Sequence, residues 1–154
     1  MAHQPIVEIR AATPDDAASV RALVRAAYAK WVPLIGREPM PMRADYEHAI
    51  REHKIDILCI DGTMAGLIEM IVHPDHLWIE NVAIAPEHQS KGLGRHLMAH
   101  AEQTAAAGER RELRLLTNGA FEANIALYKA IGYVVDRVEP FLDGTTVYMS
   151  KRIG

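Results

Sequence analysis

Only one cysteine, Cys59, occurs in the 154 residues. An internal disulfide and a cysteine-based zinc cluster are therefore both excluded. Cys59 lies in the apolar run Ile57-Leu58-Cys59-Ile60, which reads as a buried strand thiol rather than a reactive one. An excess of either charge is also lacking: 17 Lys and Arg stand against 20 Asp and Glu, a net −3. A general nucleic-acid binder, which needs a basic footprint, is excluded on that ground. No apolar run approaches the ~20 residues needed to span a bilayer. The start, Met1-Ala2-His3-Gln4-Pro5, has no basic region followed by an apolar stretch, so neither a signal peptide nor a membrane role is expected, and a cytoplasmic setting is. Internal repeats, charge blocks and Gly/Ser linkers are missing too. What is there, 49% hydrophobic and 24% charged residues, suits one globular domain over residues 1–154, long enough to bury a core without staples.

Along the chain, strand and helix patterns alternate. Residues 6–10 alternate apolar and polar, the period of a half-buried strand. Thr13-Pro14-Asp15-Asp16 reads as a helix start, with Thr13 as cap and Asp16 near the positive helix end. Val20, Leu23, Val24, Ala27 and Trp31 then follow on one helical face. Residues 33–42 hold three prolines and a glycine and are expected to be irregular. A second helix is expected over 44–54, with Tyr46, Ala49 and Ile50 inward. Strands over 57–60 and 65–72 flank the hairpin signal Asp61-Gly62. A third strand, 77–85, ends at Pro86. Leu93, Leu97, Met98, Ala101 and Ala105 mark a long helix that Gly108 stops. A strand over 113–116 precedes a helix over 121–130, with Ala123, Leu127 and Ile131 on one face. Strands over 133–138 and 145–149 close the chain around Asp143-Gly144. The predicted class is α/β (α+β): a single mixed sheet of about seven strands flanked by about four helices.

The most informative stretch joins the third strand to the long helix: Glu80-Asn81-Val82-Ala83-Ile84-Ala85-Pro86-Glu87-His88-Gln89-Ser90-Lys91-Gly92-Leu93-Gly94-Arg95. Its glycines permit close backbone approach, and the first helix amides point outward unpaired. With the positive end of the helix dipole, these make an anion site suited to a diphosphate, beside Lys91 and Arg95. A tight strand-to-helix turn would use the same two glycines. A dinucleotide fingerprint is excluded, because Leu97 stands where its third glycine belongs, and the Lys-Ser/Thr of a phosphate loop is absent.

Gln89-Ser90-Lys91-Gly92-Leu93-Gly94 matches Gln/Arg-x-x-Gly-x-Gly/Ala. Further on, Asn124-Ile125-Ala126-Leu127-Tyr128-Lys129-Ala130-Ile131-Gly132-Tyr133 matches Asn-x-x-x-Tyr-x-x-x-Gly-Phe/Tyr. With the element order, these make the sequence resemble the GNAT-type N-acetyltransferases over nearly its whole length. The resemblance implies acetyl-CoA as donor and a small-molecule or peptide amine as acceptor. It implies that Gln89, Ser90, Lys91, Gly92, Leu93, Gly94 and Arg95 hold the diphosphate of CoA. It also implies that Val82, Ala83 and Ile84 pair with the pantetheine arm, that Asn124 bonds that arm, and that Tyr128 protonates the leaving thiolate. Independently of the family, Asn124 and Tyr128 are four apart and share one helix stripe, expected at the edge of the core. A non-catalytic acyl-CoA-binding module, a longer acyl donor and a hydroxyl acceptor are the alternatives.

Glu80 is the candidate base toward the amine, expected on the same strand face as Val82 and Ile84; a surface charge is the other reading. Glu69 is a second candidate, and Thr117-Asn118 follow a strand end where ligands gather. His96 and His100 have a metal-compatible i, i+4 spacing but lack the accompanying acidic residue, so no metal is expected. Residues 31–42 form either a lid over the acceptor or a satellite apolar cluster. A homodimer through the last strands or the helices is left open. From 55 to 90 there is no Lys or Arg, while Asp56, Asp61, Glu69, Asp75, Glu80 and Glu87 all occur. An acid-bearing centre beside a cationic loop suits a cationic amine on one side and an anionic donor on the other.

Overall fold

The structure, a computed structural model, describes residues 4–154; Met1, Ala2 and His3 of the expected leaderless start lie outside them. Strand β1 (Val7–Ala11) carries the predicted alternation and pairs antiparallel with β2 (Lys54–Ile60). Between them the chain makes its first helical layer. The Thr13 amide donates to Asp16 Oδ2 at 2.8 Å, and Asp16 also takes two hydrogen bonds from Arg10, at 2.8 and 2.9 Å. A short 3-10 turn, Pro14–Asp16, leads into α1 (Ala17–Tyr28). The predicted face of α1 is the buried one: Val20 and Val24 are fully enclosed, with Leu23 and Ala27 beside them. Each large apolar side chain so enclosed is worth roughly 1.5–3 kcal/mol.

The proline-rich segment is less irregular than expected. Pro33 falls in the first turn of a one-turn helix, α2 (Val32–Ile35), where its missing N–H costs nothing. A 3-10 turn, Met40–Arg43, follows. Helix α3 (Tyr46–Glu52) is capped by Asp45, whose side chain accepts from the amides of Glu47 and His48. Tyr46 and Ala49 are buried and Ile50 partly so, as the spacing predicts.

Strands β2, β3 (Thr63–Val72) and β4 (Leu77–Ile84) form an antiparallel meander. Asp61 and Gly62 turn the first hairpin with φ of 51° and 82°, the left-handed pair that matches strand twist. Helix α4 (Leu93–Ala107) crosses to β5 (Glu112–Asn118), which lies parallel to β4. Helix α5 (Glu122–Ala130) and the hairpin of β6 (Val134–Phe141) and β7 (Gly144–Arg152) complete the chain. The seven-stranded sheet has the order β1-β2-β3-β4-β5-β7-β6. Two cores result. Leu97, Met98, Ala101 and Tyr128 of α4 and α5 pack on one face, and α1 and α3 cover Ile57, Leu67 and Ala83 on the other. Cys59 is buried in the second, as its neighbours implied.

Three details of the sequence reading are corrected. The last hairpin turns at Leu142-Asp143, with Leu142 at φ 54°, because Phe141 pairs with Gly144; the Asp143-Gly144 signal is offset by one residue. On α5 the fully buried residue is Tyr128; Leu127 and Ile131 are partly buried against the core, while Ala123 is exposed at the cleft that it lines with Leu127. The third correction concerns Glu80 and shapes the site.

Candidate active site

Strands β4 and β5 pair only at Leu77–Leu113, Trp78–Arg114 and Ile79–Leu115. Beyond these, β4 runs on through residues 80–84 with no partner on that side, while β5 stays paired to β7. The sheet is thus split by a wedge. A cavity of about 430 Å³ opens there, lined by Val82, Ile84, Gln89, Asn124, Leu127, Tyr128 and the loop into α4. The two sequence motifs, remote along the chain, meet in it.

A bulge places Glu80. Glu69 pairs with Asn81 and Met70 with Ile79, so Glu80 is the extra residue of β4. The bulge breaks the period of two. Ile79 packs in the α4 core, Asn81 reaches the α1 and α3 side, and Val82 and Ile84 pack on the α4 side again. Glu80 therefore does not share a face with Val82 and Ile84, contrary to the alternation argument. Its Oε2 accepts from Trp78 Nε1 at 3.0 Å, and its charge acts on Glu69, Tyr28 and Tyr46.

The loop turns on two left-handed residues, Ser90 (φ 65°) and Gly92 (φ 80°). Gly92 caps α4, whose first intrahelical bond here is His96 N–H to Gly92 C=O at 3.1 Å. The amides of Leu93, Gly94 and Arg95 are the orphan donors of that first turn. Ser90, Gly92, Leu93, Gly94 and Arg95 line the cavity; Lys91 is exposed beside it, and the Ala83 side chain is buried on the far face. A Cβ added to Gly94 would lie 3.4 Å from Leu127 Cδ2, so helices α4 and α5 meet there. The Gln89 side chain is already engaged: it donates to Ile84 C=O at 3.0 Å and accepts from Lys30 Nζ at 2.8 Å.

Two tyrosines line the cavity from different helices. Tyr28, at the end of α1, donates to Asn81 Oδ1 at 2.6 Å. Asn81 Nδ2 donates to Tyr46 Oη at 3.3 Å, and Tyr46 donates to Pro41 C=O at 2.6 Å. Tyr28 and Tyr46 are both held well above the usual phenol range, first by burial and then by nearby charges. Tyr128, on α5, makes no hydrogen bond among the described residues, and burial pushes its hydroxyl up to about 12. Glu69 is buried, and burial raises its carboxyl; His53 Nδ1 lies 2.6 Å from its Oε2 and opposes that shift.

Sequence reasoning missed Tyr28, Lys30 and His88 as cavity residues. Trp31, placed by the sequence both on the α1 face and at the start of the 31–42 segment, lines the cavity. It stacks on Phe121 at 4.4 Å, joining the α1–α2 segment to the start of α5. His88 Nδ1 is buried and has no hydrogen-bond partner among the described residues. Residues 31–42 divide between the two readings: Met42 is buried as a satellite contact, while Leu34 and Met40 stay exposed and Arg37 reaches Asp143 and the Phe141 ring. Thr117 is buried, and Asn118 spends its Oδ1 on the Ala120 amide. His100 is paired with Asp56 Oδ2 at 2.7 Å rather than with His96. Among the described residues no group of three or more His, Cys, Asp or Glu is arranged to hold a metal ion, and no helix is long and apolar enough to cross a membrane.

Residues 20–133 match the model of the acetyltransferase (GNAT) family. A mycothiol acetyltransferase from Cellulomonas flavigena is 29% identical over 109 residues. The match covers 69% of this chain but only 31% of that relative's length. An acetyltransferase of the GNAT family from Desulfovibrio desulfuricans has a TM-score of 0.81 at 20% identity, over 97% of this chain and 100% of that one. The PaiA N-acetyltransferase from Thermoplasma acidophilum, in complex with coenzyme A, has a TM-score of 0.82 at 20% identity, over 96% and 99% of the two chains. At such identities these two structures establish a common fold.

Proposed function

Because this chain belongs to the acetyltransferase (GNAT) family, we propose that it moves the acetyl group of acetyl-CoA to an amine by direct attack in a ternary complex. The observation that carries this reading is the meeting of the Gln89-to-Gly94 and Asn124-to-Tyr128 motifs in one cavity of about 430 Å³. The cavity also suits the donor chemically: it offers an unengaged Tyr128 hydroxyl and an orphaned His88 Nδ1.

In this reading the diphosphate rests on the amides of Leu93, Gly94 and Arg95, with Ser90, Lys91 and Gly92 shaping and charging the loop. The pantetheine arm lies along the unpartnered edge of Val82, Ala83 and Ile84, and Asn124 bonds it. The buried side chain of Ala83 does not matter to that role, which uses backbone. Gln89 acts by holding the loop to Ile84 and Lys30 rather than as a free ligand.

A thioester is already activated, so orientation and charge management are the main tasks. The lone pair of the neutral amine attacks the thioester carbonyl carbon. The negative charge gathers on the carbonyl oxygen, where a backbone N–H of residues 82–84 stabilises it. The C–S bond then breaks and its electrons leave on sulfur, which takes the Tyr128 proton. The surplus proton of the amine passes to Glu80, directly or through water, and solvent restores both groups. Glu80 acts from the α1 side of the bulge, so the amine reaches the thioester from the side of Tyr28 and the α2 segment.

The acceptor is a small-molecule or peptide amine, and Glu69 and Glu80 favour a cationic one. Residues 1–154 act as a single catalytic unit. The test is release of free thiol from acetyl-CoA with a panel of polyamines, amino acids, small amines and peptides. Turnover fastest with cationic acceptors supports the reading. Binding of CoA without turnover on any acceptor defeats it in favour of a binding module, and equal rates on neutral and acidic acceptors defeat the charge argument alone.

A further inference from the structure

Lys30 belongs to the 3-10 turn Ala29–Trp31, between α1 and α2. It lines the same cavity as the loop into α4, but it comes from the helical layer on the other face of the sheet. Among the described residues that line this cavity are two permanent cations, Lys30 and Arg95, and no Asp or Glu. A cleft walled by charge of one sign concentrates its field and draws an anion.

The Lys30 ammonium is held in place without being neutralised. Its Nζ donates to Gln89 Oε1 at 2.8 Å and stands 4.8 Å from the centre of the Trp31 ring. Both partners are uncharged, and among the described residues Lys30 has no ion-pair partner. Lys54 and Lys151, by contrast, pair with Asp56 at 3.5 Å and Glu102 at 3.1 Å.

Gln89 fixes where that charge stands. Its Nε2 donates to Ile84 C=O at 3.0 Å, so one side-chain amide bridges the end of β4 and Lys30. Ile84 ends the strand edge assigned above to the pantetheine arm, and Leu93 begins the amides assigned to the diphosphate. Gln89 lies between the two, so Lys30 stands at the junction of arm and diphosphate. The 3′-phosphate of CoA is a whole ribose farther along the donor.

We propose that Lys30 is a donor-specificity residue: its ammonium pairs with the diphosphate from the α1 side, across the cavity from the α4 amides. The anion is then gripped between two helical layers, by partial charges on one wall and a full charge on the other. The site thereby selects thioesters that carry a diphosphate over those that do not. This inference rests on the CoA-dependent reading of the cavity.

Calorimetry on the full chain tests it with three ligands. CoA carries the diphosphate and the 3′-phosphate, dephospho-CoA carries the diphosphate alone, and pantetheine carries neither. Lys30→Gln can still donate to Gln89 but has no charge, and the residue is exposed, so the fold is not at stake. The variant raises Kd for CoA and for dephospho-CoA by the same factor, roughly tenfold, and leaves pantetheine unchanged. Lys30→Arg restores most of the loss. Added salt weakens CoA binding more steeply in the wild type than in Lys30→Gln, a difference that a purely structural tether would not produce. An unchanged Kd for CoA in Lys30→Gln, or an equal loss with all three ligands, overturns the inference and leaves the CoA reading standing. A loss with CoA but not with dephospho-CoA overturns the assignment to the diphosphate. A wild type that binds no CoA overturns the CoA reading itself, and this inference with it.

Discussion

The Tyr28 hydroxyl donates to Asn81 Oδ1 at 2.6 Å, tying the end of α1 to the residue just past the β4 bulge. Tyr28 lines the same cavity as Tyr128, yet its proton is committed to Asn81, while the Tyr128 hydroxyl makes no hydrogen bond among the described residues. A phenol that is to protonate a leaving thiolate must not already be donating elsewhere. The geometry thus separates two similar side chains into a tether and a candidate acid.

Substituting the two tyrosines should separate those roles. Tyr128→Phe is expected to lower kcat roughly 10²–10⁴-fold with little loss of stability. Tyr28→Phe leaves Asn81 Oδ1 unsatisfied and is expected to cost about 1–3 kcal/mol in denaturant unfolding, with the smaller effect on kcat. Equal kcat losses in both variants at unchanged stability would show that the division is wrong.

The pH profile follows from burial. Enclosure disfavours the phenolate of Tyr128 and pushes its pKa up to about 12. A raised pKa means that the proton is retained as pH rises, so Tyr128 remains a competent acid while the amine is being deprotonated. The rate should climb into the alkaline range and level off, with no falling limb from Tyr128 below about 12. A decline in kcat at mildly alkaline pH that Tyr128→Phe abolishes would contradict the assignment.

The two glycines of the loop should respond differently. Gly92 has φ 80°, so Gly92→Ala is strained by roughly 1–2 kcal/mol although nothing lies within 4 Å of the added Cβ. The strain falls on the turn that aims the α4 amides, and CoA binding should weaken with it. At Gly94 the added Cβ meets only the far end of the flexible Leu127 side chain, at 3.4 Å. Gly94→Ala should be near neutral, since strain there is offset by up to ~1 kcal/mol of helix propensity. Thermal unfolding and calorimetry with CoA check both.

At the other end of the molecule, Arg10 and then the Thr13 amide hold the Asp16 carboxyl well below the usual carboxylate range. An acid depressed in the folded state adds stability above its unfolded pKa, ordinarily 3.8, and loses it as pH falls toward the folded value. Asp16→Asn should therefore be less stable than wild type at neutral pH, and the gap should shrink on acidification below the ordinary carboxylate range. Urea unfolding of both proteins at neutral and acidic pH measures this; a gap independent of pH would assign the loss to packing instead.

Much was legible before any coordinates. The element order, the Val20 and Val24 face of α1, the Asp61-Gly62 turn and the long helix ended by Gly108 all came from periods and turn chemistry that act over a few residues. The placing of Asn124 and Tyr128 on one stripe of α5 came from helix spacing as well, whereas both motifs were read through their resemblance to a family pattern. Other features were hidden because they arise from pairing between distant segments. The extra residue at Glu80 exists only relative to β3, and it reverses which face Asn81 and Val82 take. The stacking of Trp31 on Phe121 and the bond from Tyr28 to Asn81 join segments remote along the chain. The exposure of β6 depends on its place at the end of the sheet, which its sequence does not state. The chain by itself thus determined which residues are candidates for the site, since residue type and local spacing are written in it. Only the tertiary structure decided which phenol is free, which side Glu80 serves and which edge is left unpaired, because each depends on long-range strand register rather than on local periodicity.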